Sequence, residues 1–129
     1  MRKGLFLLGA VSGFLAVAFG AFGAHALKSL VSVELIATFR LGVEYHFYHT
    51  FALIAVALAG HWLSSRLLDW AAYAFLAGIG LFSGSLYAYV LTGAKWLVFI
   101  TPIGGVCFLL GWLLLAVALW RQRTQGLNA

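Results

Sequence analysis

Four long apolar stretches, each bounded by charged or small polar residues, make up most of the chain. The first, residues 4–26, carries no charge and follows the basic pair Arg2 and Lys3. The others cover about residues 41–62, 67–91 and 96–120. Each reaches the roughly 20 residues that a helix needs to cross about 30 Å of hydrocarbon. The first is longer than the roughly 7–15 residue core of a secretory signal, so Ala24-His25-Ala26 is read as part of a retained helix rather than a cleavage site. Between the first two stretches, Leu27, Leu30, Val31, Leu35 and Ile36 tend to one side, with Lys28, Ser32 and Glu34 elsewhere. That pattern over residues 27–40 predicts a short helix lying at the interface. Ser64 to Arg66 and Thr92 to Lys95 mark tight turns. The expected fold is an all-α membrane protein with a single domain over residues 1–129. It is an antiparallel bundle of four transmembrane helices, with a short interfacial helix after the first span.

Composition turns that pattern into a choice of solvent. Of 129 residues 64% are apolar and 9% charged, with a mean hydropathy of +1.05. A soluble domain carries about a quarter charged residues, so this surface is built for lipid. Four spans leave only short connections and tails, with no room for a catalytic head. The net charge of +5 does not point to nucleic acid, because the bases stand singly or in pairs at the ends of apolar runs. Arg2, Lys3, Arg66, Arg121 and Arg123 fall on one side, against Lys28, Arg40 and Lys95 on the other. The excess places both termini in the cytoplasm. Trp62, Trp70, Trp96 and Trp120 lie near span ends, as an aromatic belt requires. The single cysteine, Cys107, supplies neither a disulfide nor a metal cluster.

Lipid gives helices no hydrophobic reason to associate, so close backbone approach at small residues matters more. Gly9 and Gly13, then Gly20 and Ala24, form such a stripe in the first span; Gly80 and Gly84 do so in the third, and Gly104 and Gly111 in the fourth. These are expected bundle seams. A homo-oligomer or another membrane protein is a further candidate partner, besides membrane lipids.

The polar residues are unevenly placed. His25 ends the first span, while Glu44, Tyr45, His46 and His49 open the second. Ser83, Ser85 and Tyr87 come late in the third, and Thr101, before Pro102, comes early in the fourth. With alternating helix direction all lie in the half of the membrane away from the termini. Arg40 and Glu44 are one helical turn apart and are expected to pair. Pro102 suits the first turn of a helix capped by Thr101. Several readings of the cluster compete. It is a structural network that sets the register of the bundle or a surface for a lipid or partner helix, a path for a small solute or ion, or a His-based metal or haem site. The residues assemble no nucleophile, base and orienting group, so a non-enzyme is expected, with no cofactor and no assigned metal ligand.

The segments Gly20-Ala-Phe-Gly-Ala-His-Ala-Leu27, Gly42-Val-Glu-Tyr-His-Phe-Tyr-His49, Leu81-Phe-Ser-Gly-Ser-Leu-Tyr87 and Thr101-Pro-Ile-Gly-Gly105, with Gly111-Trp112, carry a resemblance. Over nearly its whole length the chain resembles the domain of unknown function 423 family of small bacterial inner-membrane proteins. It is similar also to eukaryotic transmembrane protein 256. The resemblance implies a four-helix plasma-membrane protein and supplies no reaction.

Overall fold

A computed structural model describes residues 2–122; Met1 and the tail from Arg123 onward lie outside the described residues. Helix α1 spans Arg2–Ala24 and leads through a single 3₁₀ turn, Ala26–Ser29, into α2, Val33–Ala59. Helix α3, Arg66–Gly78, passes through a π turn, Ile79–Ser83, into α4, Gly84–Thr92. A 3₁₀ turn at Lys95–Phe99 then precedes α5, Thr101–Gln122. Among the described residues four helical segments are long and apolar enough to cross a membrane. The chain is therefore an integral membrane protein with the expected all-α fold.

The connection after α1 is shorter than the hydropathy pattern suggests. Only Ala26–Ser29 forms a separate helical turn, while residues 33–40 belong to α2. The cause is a cap: the Ser32 side chain accepts from the Leu35 backbone N–H, so the second helix starts there. Ser65 starts α3 in the same way, accepting from Leu67. Gly93 ends α4 in the left-handed region, at φ 74°, with its N–H bonded to the Tyr89 carbonyl. Glycine reaches that conformation without the Cβ clash that other residues suffer.

Helix α2 is the most buried span, with α1 on one side and the third span on the other. Helix α5 packs against α3. The α1–α2 seam uses the expected glycines: Gly9 meets Ile54, Gly13 meets Thr50 and Gly20 meets Val43. It continues at Gly23 against Phe39, leaving Ala24 exposed. The third span departs further from expectation. Gly80 is exposed with no neighbour near its missing Cβ, and Gly84 meets only its own helix at the Ile79 carbonyl. Gly80 lies within the π turn and Gly84 directly follows it, so the wider turn carries both off the contact face. Gly78 takes over the seam and receives Phe108, while Gly111 receives Phe75. Gly104 lies flat against the backbone of Leu81 and Phe82, so a Cβ there would stand 2.7 Å from the Leu81 carbonyl carbon.

Alternation of the helices defines two ends. The near end holds the start of α1, the turn between α2 and α3, and the end of α5; the far end holds the two 3₁₀ turns. Trp62, Trp70 and Trp120 are exposed toward the near end and Trp96 toward the far end, at the depths where indole rings favour the interface.

Candidate functional site

The buried polar residues of α2 organise the interior. His46 and His49, 3% and 4% exposed, lie three residues apart on the buried face of the helix. Nδ1 of His46 is 2.9 Å from the Tyr87 hydroxyl, and Nε2 is 3.1 Å from Ser12 Oγ. Ser12 is in turn 2.6 Å from Thr50 Oγ1. A continuous chain of hydrogen bonds thus joins α4, α2 and α1, from Tyr87 in the far half to Ser12 and Thr50 near mid-span.

His49 forms a separate unit with α5. Its Nδ1 lies 2.7 Å from the Tyr45 carbonyl, and the Trp112 indole N–H donates to its Nε2 at 3.1 Å. A carbonyl only accepts and an indole N–H only donates. Nδ1 therefore carries the proton, Nε2 offers the lone pair, and the ring is the neutral tautomer with both nitrogens engaged. Its plane lies on Phe108, with centroids 3.5 Å apart and 6° between planes. Phe75 and Tyr45 pack around the same ring.

Two further bonds tie the third span to its neighbours. Ser83 Oγ, completely buried, donates to the Gly42 carbonyl of α2 at 2.6 Å. Ser85 Oγ is 2.5 Å from Thr101 Oγ1 of α5 and donates to the Phe82 carbonyl at 2.9 Å. The π turn, in which the Gly84 N–H reaches the Ile79 carbonyl, aims these serines at different helices. Thr101 is not turned to cap its own helix. Its hydroxyl bonds to Ser85 and lies 3.5 Å from the Leu97 carbonyl.

The structure thus joins His46 to Tyr87, Ser85 to Thr101, and His49 to the Tyr45 backbone, and buries Ser83 among them. It leaves out His25 and Glu44. His25 is exposed before the first 3₁₀ turn and its side chain makes no capping bond there. Glu44 is exposed on the outer face of α2, and among the described residues it makes no ion pair with Arg40. Ser12, Thr50 and Trp112 also belong to the network: Thr50 continues the polar run that opens the second span, Ser12 is one of the few polar residues of the other half, and the polar pattern did not single out Trp112. Ser12 had one signal: with Gly9 and Ala16 it occupies a buried stripe at spacings of three and four. Trp112 had none in the polar pattern and was marked only by the Gly111-Trp112 pair among the segments that carry the resemblance.

Every buried side-chain nitrogen and oxygen among the described residues has a partner. Among them no three of His, Cys, Asp and Glu converge as a metal site needs. A metal at His46 or His49 would first have to displace the Ser12, Tyr87 or Trp112 bond.

Residues 19–105 match the family model described as protein of unknown function, DUF423. The chain belongs to this family. It is 37% identical over 124 residues to the UPF0382 inner membrane protein YgdD of Escherichia coli K12, covering 96% of this chain and 95% of that one. It is 41% identical over 117 residues to the UPF0382 membrane protein YwdK of Bacillus subtilis, covering 90% and 95%. It is 41% identical over 115 residues to the UPF0382 membrane protein SAB0533 of Staphylococcus aureus, covering 89% and 93%. No solved structure matches the chain.

Proposed function

We propose that this chain is a non-enzymatic membrane protein whose polar network locks a rigid bundle, and that it acts by binding lipid or a partner at the outside of that bundle. The observation that carries this reading is the engagement of both ring nitrogens of His46 and of His49 inside the chain. A catalytic base or metal ligand needs a nitrogen open to its substrate or ion. The hydrogen-bonded chain also ends at Thr50 and Tyr87, both buried, which favours a lock over a solute path.

His46→Ala and His49→Ala are each expected to lower thermal stability in detergent, while flux of protons and small solutes through reconstituted liposomes stays at the level of empty vesicles. Unchanged stability, or flux that needs His46, would overturn the lock. Metal analysis and visible absorption of the purified protein are expected to give neither a stoichiometric metal nor a haem band. We further propose the plasma membrane as the location, with both termini cytoplasmic, on the excess of basic residues at the near end. A reporter fused after Ala129 should be active only as a cytoplasmic fusion.

A further inference from the structure

The near end holds a feature that takes no part in the polar network. Leu5 of α1, Val56 and Gly60 at the end of α2, and the segment from Ser64 to Asp69 surround a cavity of about 270 Å³. Leu5, Val56 and Leu68 are buried and make its walls apolar. Arg66 and Asp69 also line it, one turn apart at the start of α3. Among the described residues their side chains make no hydrogen bond or ion pair, with each other or with any other group. Ser65 is committed to capping α3, whereas Ser64 is exposed at the rim with its hydroxyl unbonded. Asp69 is half-buried, so a carboxylate partly withdrawn from water lacks a compensating contact among the described residues.

The surroundings narrow what would answer these charges. Helix α2 ends at the cavity and brings a partial negative charge, although the Val56, Leu58 and Ala59 carbonyls are already bonded within the turn that follows; α3 begins there and brings a partial positive charge. Trp62 and Trp70, exposed on either side, set the cavity at headgroup depth. A simple anion would suit Arg66 but meet Asp69, and a simple cation would meet the opposite conflict. A zwitterion satisfies both. The volume lies near the lower limit of small-molecule clefts, about 300 Å³, which suits a headgroup and leaves acyl chains outside on the exposed apolar helix faces.

We propose that this cavity binds the headgroup of an aminophospholipid, a phosphodiester carrying a primary ammonium group. The phosphate lies toward Arg66, Ser64 and the positive end of α3. The ammonium donates to Asp69 and lies toward the negative end of α2. A choline headgroup has the same charges but no N–H to donate, and a glycerol headgroup has no cation. This inference rests on the lipid-binding side of the reading above; its failure would leave the polar lock standing, because none of its residues takes part in that network.

The test uses the full chain purified in detergent and titrated, with binding followed by native mass spectrometry, against phosphatidylethanolamine, phosphatidylcholine and phosphatidylglycerol with identical acyl chains. Phosphatidylethanolamine is expected to bind about tenfold more tightly than the other two, as one charge-assisted hydrogen bond would provide. Asp69→Asn should bring it down to the phosphatidylcholine level without weakening phosphatidylglycerol, Asp69→Glu should retain the preference, and Arg66→Gln should weaken all three lipids. Displacement by soluble glycerophosphoethanolamine would assign recognition to the headgroup alone, and retention of the lipid would assign it to the intact molecule. Equal wild-type affinity for the three lipids overturns the proposal, as does a preference that survives Asp69→Asn. If Asp69→Asn fails to fold, the wild-type comparison decides by itself.

Discussion

Replacing Trp112 by Phe keeps an aromatic ring beside Phe75 but removes the donor to Nε2 of His49, leaving a buried lone pair without its partner. Hydrogen bonds between transmembrane helices contribute about 0.6 kcal/mol on average and up to roughly 1.7. A double-mutant cycle of Trp112→Phe with His49→Leu, followed by unfolding in detergent, should give a coupling in that range; zero coupling would remove this bond from the account of stability. Ser12→Ala interrupts the chain at two bonds at once, so a larger loss, about 1–2 kcal/mol, is expected in the same assay. The two histidines were legible in the sequence because an imidazole inside an apolar run needs a reason to be there. Ser12 was not, since one hydroxyl in a long apolar segment looks incidental until the facing helix is known. Glu44 misled for a related reason. It is two residues from His46, but each residue advances a helix by about 100°, which sends its carboxylate outward while His46 points in.

At the scale of the helices, the glycines separate by the face they occupy. Gly104→Ala sets a methyl group against the backbone of Leu81 and Phe82, which cannot move aside as a flexible side chain could. It is expected to cost about 1–3 kcal/mol, the range seen on overpacking. Gly80→Ala meets open space and is expected to be neutral or to stabilise by up to roughly 1 kcal/mol, since alanine favours helical backbone. Thermal melts of the two variants side by side check the contrast, and a larger loss at Gly80 would reverse the assignment of the seam. The four spans were readable from hydropathy because hydrocarbon thickness imposes their length. The face of the third was hidden, because a small-residue stripe is drawn assuming uninterrupted 3.6-residue turns and the π turn breaks that assumption between Gly78 and Gly84. The start of α2 could have been found, since Ser32 ahead of Glu34 and Leu35 is a capping pattern.

For the molecule as a whole, the outer face of α2 carries a charge that the bundle does not use. Glu44→Leu is expected to raise stability in detergent by about 1 kcal/mol, because a carboxylate near the hydrocarbon is replaced by an apolar side chain and no intramolecular bond is lost. A loss of stability in that assay would mean that Glu44 supports the fold. Overall architecture was the most legible level of all, because lipid leaves so few ways to satisfy a backbone. The way the parts face one another depends on the five residues from Ile79 to Ser83. Their wider turn works as a phase shifter, letting Phe75 meet Gly111 below it while Ser85 meets Thr101 and Tyr87 meets His46 above it. Forcing these five residues into regular α-helical pitch, with none removed, would turn everything beyond them by about 100°. Such a chain would be as hydrophobic, as helical and as readily inserted as before, and its two halves would no longer be in step.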